Sequence, residues 1–319
     1  MASYRVVTSI LLPDTIDVEP VLPPGVRALR YHPGAPLPPG ADEAEALVVW
    51  TLDPRTLTEL AALPRLRWVQ TLAAGPDAVL AAGFAPSVTL TSGRGLHDGP
   101  VAEHVLALTL ALVRRLPAMA RAQREHRWAT ELGGAQPLHP AGPVTTLLDA
   151  RVTIWGFGSI GTRLAGLYEA LGARVTGVAT RAGTRDGYAV VAADELSGVL
   201  AGTDVLVGLL PATAATRHAL GAGVFAALPE GAYVVNAGRG STLDEAALLD
   251  ALRSGHLGGA ALDVVETEPL AAASPLWDEP AVLVSPHAAG GRPIGASELI
   301  AENARRFVAG EPLRNLVAR

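Results

Sequence analysis

No cysteine occurs among the 319 residues, and no lysine either: all 25 basic residues are arginine. The first absence removes disulfides, thiol nucleophiles and thiolate metal sites together. The second removes Schiff-base chemistry, pyridoxal-phosphate enzymes and the phosphate-binding lysine of a Walker loop. Positive charge is short overall. The formal net charge is −6, which speaks against nucleic acid or an anionic membrane surface as a partner. Long hydrophobic runs are missing too. The longest, "VAEHVLALTLALVRRL" from Val101 to Leu116, is interrupted by Glu103, His104, Arg114 and Arg115 and falls short of the ~20 apolar residues that a membrane helix needs. It reads as a buried helix. At the N-terminus, Thr8 and Ser9 break an apolar stretch that Pro13-Asp14 ends. That stretch is too short for a signal-peptide core and reads as a first strand. A soluble, cytoplasmic protein is the expectation.

What is present is material for large cores, with 49% hydrophobic and 18% charged residues. A chain of this length suggests two domains at ~150 residues each. In the first hundred residues "RVVTSILL", "ALVVW", "LRWVQTL" and "SVTLT" read as strands, and "DPRTLTELAAL" reads as a helix with an Asp cap and Pro at its first position. The Pro-rich stretch from Glu19 to Glu45 reads as a loop-rich segment inside this unit, not a linker. After the long helix starting at Val101, residues 122–149 lose periodicity. A second alternating series follows, with seven strands: "RVTIWG", "ARVTGVA", "YAVVA", "TDVLVGLL", "GAYVVNA", "GAALDV" and "AVLVSP". Helical segments "IGTRLAGLYEAL" and "LDEAALLDALRSG" lie between them. Strand–helix alternation implies an α/β protein with doubly wound parallel sheets.

"WGFGSIG" sets Gly156, Gly158 and Gly161 in G-x-G-x-x-G register. The pattern alone is weak in a glycine-rich chain. Its setting strengthens it: a strand precedes, a helix opens, and a second strand follows at the length of one βαβ unit. Phe157, Ser159 and Ile160 fill the loop. An acid is expected at the end of the second strand to bind the ribose hydroxyls of NAD. Here Ala179, Thr180 and Arg181 stand in its place, and no acid appears before Asp186. That ending accommodates a 2′-phosphate, which Arg181 could pair with, helped by Thr180 and Arg185. NADP(H) is therefore the preferred cofactor, with NAD(H) possible, and a merely solvated turn is the alternative.

Arg239 sits between two glycines in "VVNAGRGSTLDE". Taken alone, this is either a turn with a surface arginine or a planar fork aimed at a carboxylate. Two more segments decide how it is read. "ALDVVETEPL" supplies Asp263, Glu266 and Glu268, and "VLVSPHAAGG" supplies His287. Each polar residue follows an apolar strand, on the side where open α/β sheets bind ligands.

With "VAEH", "WGFGSIG", "LLPATAATRHAL", "NAGRGSTLDEAAL", "ALDVVETEPL" and "SPHAAGG" in this order, the chain resembles the D-isomer-specific 2-hydroxyacid dehydrogenases over nearly its whole length. The resemblance implies a Rossmann cofactor domain (99–288) inserted in a flavodoxin-like substrate domain (1–98 and 289–319), with the last ~30 residues helical. It also implies a homodimer acting on a small 2-keto or 2-hydroxy acid, in the manner of glyoxylate/hydroxypyruvate reductases or phosphoglycerate dehydrogenases. Arg239 would hold the substrate carboxylate, and Glu268 would orient His287, the acid/base; these three are the catalytic residues. Asp263 would lie near the nicotinamide, and Leu210, Pro211, Thr216, Ala237 and His287 would line the cofactor. The substrate loop "TLAAGPDA" offers Leu72, Ala73, Ala74 and Gly75, and Trp50 either walls the pocket or is ordinary core. Pro76 departs from the residue usual in that loop.

Glu266 reads as a surface neighbour of Glu268. His97, Asp98 and Arg94 lie where the family lines its cleft, and His104 reads as helix packing. No acidic–His cluster suggests a metal site. Glu268 argues against the formate dehydrogenases of the superfamily, which pair the histidine with glutamine. The missing lysine argues against its phosphite-oxidising members. The alternative from another class is a catalytically silent, NAD(P)-sensing regulatory protein of the same fold.

Overall fold

The computed structural model describes residues 8–319 and divides into two compact units, Met1–His97 with Gly291–Arg319, and Asp98–Gly290. The first unit opens with β1 (Thr8–Pro13); residues 5–7 of the expected first strand lie outside the described residues. There follow β2 (Val26–Tyr31), β3 (Ala46–Val49), α1 (Pro54–Ala61), β4 (Trp68–Thr71), α2 (Asp77–Ala81) and β5 (Thr89–Thr91). The strands form one parallel sheet in the order β2-β1-β3-β4-β5. This is the flavodoxin-like order, whose ligand crevice falls where the succession of strands reverses. Along β1 and β3, Leu11, Leu47 and Val49 enter one core while Ile10, Leu12, Ala46 and Val48 enter another, as the period of two in a strand requires. The Asp53 side chain accepts the N–H groups of Arg55 and Thr56 and caps α1, and Pro54 needs no partner for a missing N–H.

β2 is the one strand inside the loop-rich Pro segment, and the sequence did not show it. Its prolines flank the strand without entering it, and as an edge strand with exposed Arg27 and Ala28 it shows no apolar run.

The second unit opens with α3 (Asp98–Val113), three residues earlier than expected, and α4 (Leu116–Arg124) in a stretch whose start reads as helix but whose remainder lacks periodicity. Pro117 explains the break between the two helices, since its ring excludes a continuous helix, and Arg115 takes a left-handed φ of 53°. Next come β6 (Arg151–Trp155), α5 (Ser159–Ala170), β7 (Arg174–Ala179), β8 (Gly183–Arg185), β9 (Tyr188–Ala192), α6 (Ser197–Leu200) and β10 (Val205–Gly208). The unit continues with α7 (Ala222–Ala227), β11 (Ala232–Asn236), α8 (Glu245–Arg253), β12 (Leu257–Leu262) and β13 (Val282–Val284). The order β13-β12-β11-β10-β6-β7-β9-β8 is the doubly wound arrangement of a dinucleotide-binding sheet, with β6 and β10 flanking the reversal. All neighbours are parallel except β8, which turns back on β9 through Asp186 and Gly187, both at positive φ. That three-residue strand is too short to show a pattern and makes the sheet one strand wider than the seven read from the sequence.

The chain returns to the first unit with α9 (Ala296–Ala309). Only these 14 residues of the last thirty are helical; the tail beyond them runs beside β5, where Val317 donates its N–H to Leu90 O at 2.9 Å. Gly310, at φ 68°, ends the helix. Buried Asn303 fastens it through Gln70 Oε1 at 2.8 Å and through Arg314 N–H at 2.8 Å. No helix among the described residues is long and apolar enough to cross a membrane.

Candidate active site

The glycine loop joins β6 to α5. Gly156 turns the chain at φ 105°, and a Cβ there would stand 2.4 Å from Leu209 O. At Gly161 a Cβ would lie 3.2 Å from Gly156 O, so the helix packs closely on its own strand. Gly158 differs: nothing lies within 4 Å of its Cβ position, and no side chain caps the first turn of α5. Two glycines thus serve the chain's own packing, and the third leaves space before a twelve-residue helix. The N–H groups and positive dipole end there suit a phosphate, so the loop fits a dinucleotide's pyrophosphate. Phe157 brings only main chain to that space, because its ring is buried in the notch left by Gly177. Ser159 Oγ donates to Asp98 Oδ1 at 3.0 Å, and Ile160 packs on the core.

At the end of β7, Thr180 and Arg181 are exposed, and Arg185 folds back to donate to the Phe157 carbonyl. Across the reversal, Thr216 Oγ1 donates to Pro211 O at 2.6 Å and closes the turn after Leu210. The Ala237 N–H donates to Gly208 O at 3.0 Å.

Why Arg239 lies between glycines is answered by main chain on both sides. A Cβ on Gly238 would stand 2.5 Å from Leu210 N, and one on Gly240 would stand 1.8 Å from Val265 O. Both glycines are packed against the neighbouring strand-end segments. Arg239 is fixed as tightly. Its carbonyl accepts Thr242 Oγ1 at 2.6 Å and Asn236 Nδ2 at 3.3 Å, and its guanidinium donates to Gly238 O at 2.8 Å.

Past β12 and β13 the remaining polar residues meet. His287 Nδ1 lies 2.8 Å from Glu268 Oε2, so Nδ1–H donates to the carboxylate and Nε2 is left for another partner. Glu268 Oε1 accepts the Val265 N–H at 3.3 Å. The pair is half-exposed, whereas Asp263 is only 2% exposed. The Asp263 carboxylate accepts Ser285 Oγ–H at 2.6 Å and the N–H groups of Ala288 and Ala289 at 2.8 and 3.1 Å, and His104 Nε2 lies 3.1 Å away. His104 is therefore more than helix packing, and neither it nor Ser285 was marked for this role by a sequence pattern. Glu266 faces away into a surface cluster, where hydrogen bonds from His218 and then Arg217 hold its carboxyl below the usual range.

In the first unit the loop after β4 is built from behind. His97 Nε2 donates to Leu72 O at 2.7 Å, and the Trp50 ring stacks on the His97 ring at 5.6 Å between centroids. Leu72 is fully buried, while Ala73, Ala74 and Gly75 are half-buried. A Cβ on Gly93 would come within 2.0 Å of Leu72 O.

Residues 106–289 match the family profile described as D-isomer specific 2-hydroxyacid dehydrogenase, NAD binding domain. The chain belongs to the D-isomer specific 2-hydroxyacid dehydrogenases. It is 33% identical over 285 residues to a glyoxylate reductase of Aeropyrum pernix, covering 88% of this chain and 84% of that protein. It is 32% identical over 266 residues to a glycerate dehydrogenase of Methylorubrum extorquens, covering 81% of each. Among solved structures, an NADPH-dependent glyoxylate/hydroxypyruvate reductase of Sinorhizobium meliloti with NADP and sulfate superposes with a TM-score of 0.80 at 30% identity, over 97% of this chain and 98% of that one. A D-isomer specific 2-hydroxyacid dehydrogenase of Xanthobacter autotrophicus with NADPH and MES gives a TM-score of 0.79 at 34% identity, over 98% of both chains. As a dehydrogenase of this family, the protein is an oxidoreductase that uses a nicotinamide cofactor on small 2-keto or 2-hydroxy acids.

Proposed function

We propose that the protein is a cytoplasmic, homodimeric reductase of short 2-keto acids, of the glyoxylate and hydroxypyruvate class, with a preference for NADPH. The observation that carries the catalytic reading is the 2.8 Å contact between His287 Nδ1 and Glu268. It fixes the imidazole tautomer and leaves Nε2 to serve a substrate oxygen.

Reduction of a keto acid needs hydride at the carbonyl carbon and a proton at its oxygen. Bound nicotinamide supplies the hydride. His287 Nε2–H gives the proton to the developing alkoxide, and in the reverse direction Nε2 accepts it. Glu268 keeps the ring oriented and stabilises the imidazolium that exists before the proton is given up. Arg239, immobilised by its carbonyl and flanking glycines, holds the substrate carboxylate in a two-pronged charge-assisted contact. The main chain of Leu72, Ala73, Ala74 and Gly75 offers N–H groups to the same carboxylate, and Trp50 limits the bulk of the 2-substituent. The cofactor's pyrophosphate would be held by residues 156–161, and Leu210, Pro211, Thr216, Ala237 and Asp263 would line the site for its nicotinamide half. The absence of an acid after Ala179, with Arg181 exposed beside Thr180, supports a 2′-phosphate at that end.

The test is the loss of reduced-cofactor absorbance with purified protein, NADPH and NADH in parallel, on glyoxylate, hydroxypyruvate, pyruvate and bulkier 2-keto acids. Faster turnover of the small acids with NADPH is expected. Tight cofactor binding without turnover on the whole panel would refute the catalytic reading, and an NADH advantage would refute the cofactor preference. Sedimentation of the purified protein checks the dimer.

A further inference from the structure

His287 has a backbone conformation that a residue with a Cβ rarely adopts, φ 50°, so something around it must impose that shape. The next two residues show what does. Ala288 and Ala289 give their N–H groups to the two oxygens of Asp263, at 2.8 and 3.1 Å, and His287 itself gives its N–H to the Asp263 carbonyl at 2.8 Å. One aspartate, by main chain and side chain together, therefore holds the three residues that aim the imidazole.

The Asp263 carboxylate is in turn held from behind. Ser285 Oγ spends its one proton on Oδ1 at 2.6 Å, which leaves its lone pairs to accept. His104 Nε2 stands 3.0 Å from Ser285 Oγ and 3.1 Å from Asp263 Oδ1, and so meets only acceptors. It must carry a hydrogen and donate. Three donors, Ser285 Oγ, the Ala288 N–H and His104 Nε2, thus converge on Oδ1 of the buried carboxylate, and the Ala289 N–H holds Oδ2. Two of them, from α3 and from the loop after β13, act only on its orientation. Packing does not require a polar group at 104: Val101, Val105, Leu108 and Leu112 already seat α3 in the core.

We infer that His104 and Ser285 are positioning residues for proton transfer, which fix Asp263 and thereby the backbone that presents His287. The inference rests on reading His287 as the proton donor. Removing either donor takes away one of the three contacts that hold Oδ1, and the carboxylate can then rotate away from the N–H groups of 288 and 289. His287 relaxes from its left-handed conformation, and Nδ1 leaves Glu268.

The variants are Ser285→Ala, His104→Leu, His104→Gln and the Ser285→Ala/His104→Leu double, read by steady-state kinetics, by fluorescence titration of NADPH and by amide hydrogen exchange over residues 285–290. His104→Leu and Ser285→Ala should each lower kcat by about tenfold or more, the scale of loss from a misplaced reacting group. NADPH affinity should stay at the parent value, and exchange at 287–289 should accelerate. The glutamine amide reaches where Nε2 was and donates, so His104→Gln should keep kcat and slow exchange. The double variant should be no worse than the weaker single. A folded His104→Leu protein with parental kcat would overturn the inference, as would equal damage from leucine and glutamine, or parallel losses in kcat and cofactor affinity. If His104→Leu fails to fold, Ser285→Ala carries the same comparison. If the parent turns over no keto acid, the functional reading fails separately, and unchanged or faster exchange at 287–289 still decides the positioning role.

Discussion

Replacing Gly240 by alanine asks the most of the geometry at the strand ends. The new Cβ would stand 1.8 Å from Val265 O and 2.0 Å from Val265 C, whereas real Cβ contacts do not fall below 3.0 Å. The two segments must therefore separate by about 1.2 Å, the difference of those distances. Neither can swing a flexible side chain aside, because both surfaces are main chain. Overpacking of this kind costs about 1–3 kcal/mol, and a backbone clash belongs at the upper end. For a unit of this size a kilocalorie moves Tm by about 2–4 °C, so about 2–3 kcal/mol should lower it by about 4–12 °C. Activity should suffer more. The separation moves Arg239 away from the 265–268 segment that carries Glu268, and about 1 Å of misplacement is worth about 10² in rate. The control is Gly158→Ala, whose Cβ would meet nothing within 4 Å. Its Tm without cofactor should match the parent, while NADPH affinity falls, since the methyl enters space that the pyrophosphate needs. Thermal unfolding with and without NADPH, together with kcat/KM, separates the two. A Gly240→Ala protein with parental Tm and kcat/KM would refute the argument, and so would a Gly158→Ala protein that binds NADPH normally.

Other expectations follow from the same geometry. His287→Ala should lower kcat by about 10²–10⁴ with NADPH affinity intact, as measured by steady-state kinetics and fluorescence titration. Arg239→Ala should raise the KM for keto acid by about 10–10²; unchanged kcat/KM would remove it from substrate binding. Arg181→Ala should weaken NADPH and leave NADH alone, narrowing the ratio of the two affinities. Hydrogen bonds from Arg305 and then Arg306 push the Glu302 carboxyl down to about 2, below its unfolded value of about 4.3. That contribution to α9 is therefore present above the unfolded value and is lost as pH falls through about 2. Glu302→Gln should reduce the difference in stability between neutral and acid pH in denaturant titrations, and salt should shrink the effect because the group is exposed.

The sequence makes the alternation of strands and helices plain wherever a strand is buried on both faces, because such strands are unbroken apolar runs. Val205–Gly208 and Ala232–Asn236 are examples, buried at every position. It fails at the edges. Val26–Tyr31 and Gly183–Arg185 lie at the margins of their sheets, carry arginines, and have no run to see. The glycine loop and the residues Arg239, Glu268 and His287 are visible because each is a short string at a strand end. His104 is not, since its partner Ser285 is 181 positions away and the helix that carries it is for the most part apolar. The 3.6-residue pattern of α3 tells that it is buried. It says nothing of which polar atom one of its residues meets.

That contrast accounts for the way the second unit is built. Residues expected to touch substrate or cofactor stand on loops after β6, β7, β10, β11, β12 and β13. Their accuracy depends on contacts those loops make with each other. Gly238 admits the main chain of Leu210, Gly240 admits that of Val265, and Asp263 takes the N–H groups of 288 and 289. Four successive strand ends, those of β10, β11, β12 and β13, are thereby tied into one body, and the tie is made of glycines and a buried carboxylate instead of apolar side chains. An apolar tie would need volume where main-chain segments must approach within hydrogen-bonding distance. A glycine needs none, and a carboxylate can accept from several N–H groups at once. Arginine between two glycines is thus a charge whose precision comes from how closely the backbone on either side of it can be packed.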